Sequence, residues 1–444
     1  MTRARLDGLC LLLLGSVVFL LLGFVLERAA PARLVDFRMM YYPARCLIHN
    51  CDPYKESEVL RVYQTGGVDR SSDTATVRQV VTRYVYLPTA FCFTVPFALL
   101  PWGPAHMLWM VLTVGSLILG SFLIWNLGAN CAPIVSGVLV GFLLANSEVL
   151  AITGTAAGIA VSLCIWAVWC FLRDRFVPAG ILCLAISLAI KPQDAGLVWL
   201  YFLLAGGTYR KRALQTLLAT VALSLPTLVW VWYVAPHWVQ ELHSNMSAFF
   251  AHGGINDPGL ASAGGHGLGM VINLQSVISV FWDDPHIYNP ASYLVCAPLL
   301  LVWVFVTLRS RSSQASAWLA LAAIAALSML PVYHRQYDAK LILLTVPACA
   351  MLWAEGGLIG ALALGVNTAA FVLTADLPWA LLFGLISHVR PSTTGLSGQI
   401  LMAVQVFPIP LTLLTMGIFY LWVYVRRCSA HAFPHPQQGH AEGV

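Results

Sequence analysis

The stretch LCLLLLGSVVFLLLGFVL, residues 9–26, decides the fold. It carries no charged residue. About 20 apolar residues in a helix suffice to cross the hydrocarbon core of a bilayer. A backbone at that depth must satisfy its own hydrogen bonds, so an apolar run of this length reads as a helix. Arg3 and Arg5 precede it, Glu27-Arg28 closes it, and no small-x-small cleavage site follows cleanly. The reading is an uncleaved first transmembrane helix with its N-terminus inside.

Runs of the same kind recur along the chain. Of 444 residues, 59% are apolar and only 10% are Asp, Glu, Lys or Arg. Soluble domains carry about 25% charged residues, so these few cannot cover a water-facing surface. No alternating ten-residue barrel pattern is present. The expected fold class is therefore all-α, a polytopic membrane protein. Residues 1–427 form one helical membrane domain, and a His/Pro/Gln-rich cytoplasmic tail over 428–444 is expected to be disordered. The net charge of +5 is not gathered into a basic run with interleaved aromatics, so nucleic acid is excluded as a partner.

Short cationic loops stay cytoplasmic. Arg173-Asp174-Arg175, Arg210-Lys211-Arg212, Arg309-Ser310-Arg311 and Arg426-Arg427 should share a side with Arg3 and Arg5. With the first helix, spans at 104–126, 133–150, 155–172, 177–190, 194–206, 212–235, 291–308, 315–331, 339–354, 357–374 and 401–425 satisfy that constraint, about twelve in all. The apolar segment 84–100 must then not cross; closed by Pro101, it reads as a Pro-broken dip into the outer leaflet. Residues 27–103 form a long first extracytoplasmic loop with this segment, and 236–290 a second, whose Gly-rich part 253–269 reads as a mobile lid. No internal repeat is found.

The 11 cysteines include no CxxC pair. Cys46 and Cys51 flank His49 in a polar loop, where a disulfide forms if the loop faces an oxidising compartment. No complete ligand set marks a metal site. Asn245-Met246-Ser247 fits a glycosylation sequon, a triplet common by chance.

The polar residues that membrane cost alone would not place here fall on the outer side: Asp36, Arg38, Arg45, Asp52, Lys191, Asp194, His334, Arg335 and Asp338. Two readings fit Asp36, a solvated loop aspartate paired with Arg33 or Arg38, and a general base at the membrane surface. Lys191 is either a snorkelling helix cap or a cation held for a phosphate. His334 and Arg335 arrive at the same side, and three convergent cations favour an anion site. Arg335 pairing locally with Asp338 is the bland alternative. Thr153-Gly154-Thr155 with Gly158 reads as small-residue helix packing.

An acidic residue just after the first helix, then aromatics, then Asp-Pro-Tyr, here Asp36, Tyr41, Tyr42 and Asp52-Pro53-Tyr54, resembles the first outer loop of glycosyltransferase family 87. Tyr86-Leu87-Pro88 with the prolines behind it, the stretch from Arg175 to Lys191, and Asn273-Leu274-Gln275-Ser276 resemble later segments of that family. The family often carries Gly-Gln-x-Asn near the fourth span, where this chain has Gly154-Thr155-Ala156-Ala157. That departure bears on donor or acceptor identity more than on reaction class. The resemblance implies a GT-C-like fold in a cell membrane, a bacterial inner membrane with the site facing the periplasm or exterior. It implies transfer of a sugar, mannose or arabinofuranose for example, from a polyprenyl-phosphate donor to a lipid or glycan acceptor. Asp36 would be the catalytic acidic residue. Arg38, Tyr42, Asp52, Tyr54, Tyr86, Lys191, His334 and Arg335 would bind substrate.

The chemistry fits those residue types. A sugar on a lipid phosphate already has a good leaving group. Inverting transfer then needs one base for the acceptor hydroxyl and cations for the departing phosphate, whereas glycoside hydrolysis requires two carboxylates. No Asp pair for a metal is evident, so no metal or cofactor is expected. The competing class is a transporter or lipid flippase, which would gather its polar residues near the midplane and tend to show repeats.

Overall fold

The computed structural model describes residues 2–432, apart from 31–33, 67–73, 255, 261–270, 311–312 and 388–394. The expected tail beyond 432 and most of the expected Gly-rich lid lie outside the described residues. The regular elements are helices. They run α1 (Arg3–Ala29), α2 (Val35–Ile48), α3 (Glu56–Thr65), α4 (Ala75–Thr82), α5 (Phe91–Ala98), α6 (Trp102–Gly128) and α7 (Pro133–Ala145). Then come α8 (Glu148–Thr153), α9 (Ala156–Arg173), α10 (Val177–Ile190), α11 (Pro192–Leu204), α12 (Gly207–Val234), α13 (Trp238–Phe249) and α14 (Leu274–Ser279). The chain closes with α15 (Pro285–Arg309), α16 (Gln314–Leu327), a 3-10 helix Gln336–Thr345, α17 (Val346–Glu355), α18 (Gly357–Thr374), α19 (Asp376–Ser387), α20 (Gly395–Val406) and α21 (Pro408–Ala432).

Nine helical segments among the described residues are long and apolar enough to cross a membrane. They coincide with nine of the twelve expected spans. The other three, α10, α11 and α16, have 14, 13 and 14 residues. At 1.5 Å per residue each reaches about 20 Å, short of a core about 30 Å thick. In α16 every residue from Ala317 to Leu327 is buried, so its uniform apolarity reflects packing inside protein. Hydropathy cannot separate that case from a lipid-facing span. The segment Pro88–Ala98 is likewise a short helix.

Packing in the bundle is closest where glycines remove side chains. Gly137 and Gly141 on α7 lie one turn apart, and a Cβ at Gly141 would come within 2.6 Å of the Leu11 carbonyl oxygen on α1. Small residues four apart let two helix backbones touch, which drives association where lipid offers no hydrophobic force.

Arg5 and the first two basic clusters lie at one end of the bundle. Arg5 donates to Asn130 Oδ1 at 2.6 Å, Arg173 to the Asn126 carbonyl at 3.3 Å, and Arg212 to the Phe171 carbonyl at 2.9 Å. Arg212 also pairs with Asp174. Thr155, the N-cap of α9, stands at the other end of that 18-residue helix, about 27 Å away along the axis.

The polar stretch after α1 folds as α2, α3 and α4, packed on α5 and α6 around an aromatic core. Phe37 stacks on Trp109 with ring centroids 4.3 Å apart, Tyr42 meets Tyr63 edge-on at 4.8 Å, and Tyr84 stacks on Phe91 at 4.7 Å. Such pairs add about 0.5–1.5 kcal/mol beyond their burial. Cys46 and Cys51 form a disulfide at the end of α2. Their sulfurs lie near Glu58, but bonded to each other they leave no thiolate for a metal. Asn245 is buried and donates to the carbonyls of Tyr54 at 2.9 Å and Tyr84 at 3.1 Å. The sequon is thus a tie between α13 and the aromatic cap, with no room for a glycan.

Candidate active site

Between the aromatic cap, α13, α15 and the 330–338 segment lies a cavity of about 970 Å³. Asp36, Tyr86, Lys191 and Arg335 line it, four of the nine expected site residues.

Asp36 sits in the first turn of α2, where a carboxylate is favoured by the helix dipole. Three contacts fix this turn and the neighbouring α6 against the α8–α9 junction. The Leu34 amide donates to the Ile152 carbonyl at 3.0 Å. Trp109 Nε1 donates to the Gly154 carbonyl at 2.8 Å. Gly154 adopts φ +62°, and a Cβ there would lie 2.7 Å from Leu34 Cδ2. The sequence suggested simple helix packing at this glycine. It instead ends α8 in the left-handed region that glycine adopts without strain, which brings Thr155 to Asp36. Burial raises the Asp36 pKa above the ordinary carboxylate value; the Arg335 charge, a Thr155 hydrogen bond and the Lys191 charge pull it back only in part.

Lys191 follows α10, which Ser187 ties to the Ala160 carbonyl of α9 at 2.7 Å. Its ammonium pairs with Asp338 and lies 3.5 Å from Asp194 Oδ2. Burial opposes the Lys191 charge, but these two carboxylates more than offset it and its pKa rises. His334 is fully buried behind the cavity wall. Its Nε2 lies 3.2 Å from Asp194 Oδ1 without hydrogen-bond alignment, and its Nδ1 lies 3.1 Å from the Val332 carbonyl. Of the three convergent basic residues, Lys191 is thus already matched by carboxylates, and the His334 ring faces one of them. Arg335 is held differently. Its backbone N–H donates to Asp338 Oδ2 at 2.8 Å. Its guanidinium donates to the Tyr333 hydroxyl at 2.6 Å and to Asn256 Oδ1 at 2.5 Å. Asp338 therefore fixes the backbone and leaves the guanidinium charge to the cavity.

Arg38, Tyr42, Asp52 and Tyr54 are not on the cavity lining. At 100° per residue, Arg38 points away from the face carrying Asp36 and Met39. It donates to the Tyr63 hydroxyl at 3.4 Å and lies over the Trp102 ring. Tyr42 belongs to the same aromatic group. Asp52 Oδ1 accepts from the Tyr54 N–H at 2.9 Å, the Asx turn that Asp-Pro spells out. The Tyr54 hydroxyl donates to the Tyr86 carbonyl at 2.9 Å. These four build the cap that carries Asp36 and Tyr86.

Sequence reasoning missed Thr155, Asn256, Asn273, Gln275, Tyr333 and Tyr337 as site residues, since uncharged polar residues carry too little membrane cost to flag them. It also passed over Lys340, whose charge inside an apolar run was such a flag. Lys340 is buried, with Nζ 3.0 Å from Asp376 Oδ1, 3.0 Å from the Thr374 carbonyl and 3.2 Å from the Asn146 carbonyl. It clamps the break between α7 and α8.

A bundle of apolar helices enclosing a cavity with one half-buried carboxylate beside a guanidinium defines a multi-pass membrane protein built to handle a polar substrate. Over residues 84–283 the chain matches the model of Glycosyltransferase family 87, the family its motifs resemble, and a membrane glycosyltransferase is what this match supports. The matched stretch contains Tyr86, Lys191, Asn273 and Gln275. No curated protein and no solved structure matches the chain.

Proposed function

We propose that this protein transfers a sugar, a hexose or pentose, from a polyprenyl-phosphate donor to a lipid or glycan acceptor at the extracytoplasmic face of a cell membrane, with inversion. The reading is carried by Asp36 and Arg335 sharing one cavity, the two groups that such a transfer requires. Asp36 takes the proton of the acceptor hydroxyl. The acceptor oxygen attacks the anomeric carbon, the bond from that carbon to the phosphate oxygen breaks, and the phosphate leaves with one additional negative charge. Arg335, preorganised by Tyr333 and Asn256, meets that charge as it develops. Lys191 adds a weaker field, since Asp194 and Asp338 offset it, and it positions Asp338 under Arg335. His334 supports Asp194 from behind. Val35, Met39, Val77, Val80 and Leu87 give the cavity an apolar side suited to the prenyl chain. The polar lining gathered beside the cap supports the enzyme reading over transport, which would gather its polar residues near the midplane.

The test is transfer by the purified protein in lipid, supplied with radiolabelled polyprenyl-phosphate sugars, wild type beside Asp36→Asn. Asp36→Asn should lower transfer by about 10²–10⁴-fold, the range of general-base catalysis. Wild-type transfer in Asp36→Asn would reject the assignment of the base.

A further inference from the structure

The cavity wall around Arg335 is chemically unlike the rest of the lining. Asn256, Asn273, Gln275 and Asn289 all face the cavity, and they come from three separate pieces of chain. None is charged. A phosphate calls for donors alone, and a prenyl chain for neither donors nor acceptors. Side-chain amides offer both, as sugar hydroxyls do.

The orientation of two amides follows from their partners. Gln275 Nε2 donates to the Pro331 carbonyl at 2.9 Å. Its Oε1 is buried and has no hydrogen-bond partner among the described residues. A buried acceptor left unmatched costs about 1–3 kcal/mol, so its presence on a cavity wall points to a donor supplied by a ligand. Asn256 is turned the other way: its Oδ1 accepts from Arg335 and from the Tyr333 hydroxyl, which leaves its N–H groups as donors. The wall is rigidly joined to Arg335. The Ile272 N–H donates to the His334 carbonyl at 3.0 Å and the Leu274 N–H to the Leu330 carbonyl at 2.9 Å, with an antiparallel bridge between Val271 and Arg335.

We propose that this amide wall, Gln275 and Asn273 with Asn256 and Asn289, is the subsite that recognises the hydroxyl groups of the transferred sugar, with Gln275 Oε1 accepting from one hydroxyl and Asn256 donating to another. The proposal rests on the donor reading above and assigns the sugar a place beside Arg335, next to the phosphate that carries it.

The experiment is binding to the full chain in lipid nanodiscs, with farnesyl phosphate and farnesyl phosphoryl mannose as probes, for wild type, Gln275→Met and Asn289→Ala. The Asn289 side chain has no hydrogen bond among the described residues, so its variant tests the wall without disturbing the fold. Wild type should bind the mannosylated probe more tightly than the bare phosphate. Each variant should lose about tenfold for the mannosylated probe, the worth of one hydrogen bond, and nothing for the bare phosphate. An equal loss for both probes, or no loss for either, overturns the subsite. If wild type binds the two probes equally, the amide wall reads no hydroxyl and the subsite again falls while the phosphate reading stands. If wild type binds neither probe, the polyprenyl-phosphate reading fails and the subsite with it.

Discussion

Asp36 is useful as a base because its surroundings oppose one another. Burial raises its pKa, while Arg335, Thr155 and Lys191 lower it. The net shift is upward, toward the operating pH, which strengthens the carboxylate as a proton acceptor. The base works only when ionised, so kcat/KM should fall as pH drops through the Asp36 pKa, with a midpoint above the ordinary carboxylate range. Thr155→Val removes a hydrogen bond that favours the charged form. Its acid limb should therefore move to higher pH, and a pH–rate profile of the variant beside wild type reads the shift directly. A midpoint that stays in place or moves down would show that Thr155 does not touch the catalytic carboxylate.

At the scale of elements, the site is assembled by junctions, where one helix ends and another begins. Lys191 lies between α10 and α11, Thr155 between α8 and α9, and Arg335 just before the 3-10 helix. Buried carboxylates join these junctions, with Lys191 between Asp194 and Asp338. Removing the shared cation leaves both carboxylates buried without compensation. Lys191→Ala should destabilise the protein by about 3–5 kcal/mol, measured as a lower unfolding temperature in detergent. Unchanged stability would mean that Lys191 is held for the donor alone. The 3-10 helix Gln336–Thr345 is ten residues long, beyond the usual three or four. It carries Asp338 toward the site and Lys340 toward the clamp on α7 and α8, and anchorage at both residues accounts for its persistence.

The whole molecule separates two ends. Arg5, Arg173, Arg212 and Asp174 lie at one, and the cap with the cavity lies toward the other. Membrane-impermeant maleimide should label His286→Cys from outside intact cells, and Lys211→Cys only after permeabilisation, since both positions are exposed at opposite ends. Labelling of both from one side would overturn the orientation.

Much of this was legible in the chain itself, because hydrophobic cost is local and additive. The run at 9–26, the other long apolar helices and the basic clusters declare a polytopic membrane protein without reference to any contact. Asp36, Lys191 and Arg335 were legible because a charge near hydrocarbon is costly enough to mark itself. Whether α10, α11 and α16 cross was not, because an apolar helix inside protein and one inside lipid have the same composition. Nor was the fate of the charges. Whether Lys191 faces a phosphate or two carboxylates, whether Arg38 lines a cavity or packs on Trp102, and which amide oxygen is left without a donor all depend on neighbours distant in sequence. Pairwise electrostatics and hydrogen bonds act over a few ångströms, so only the tertiary structure decides them.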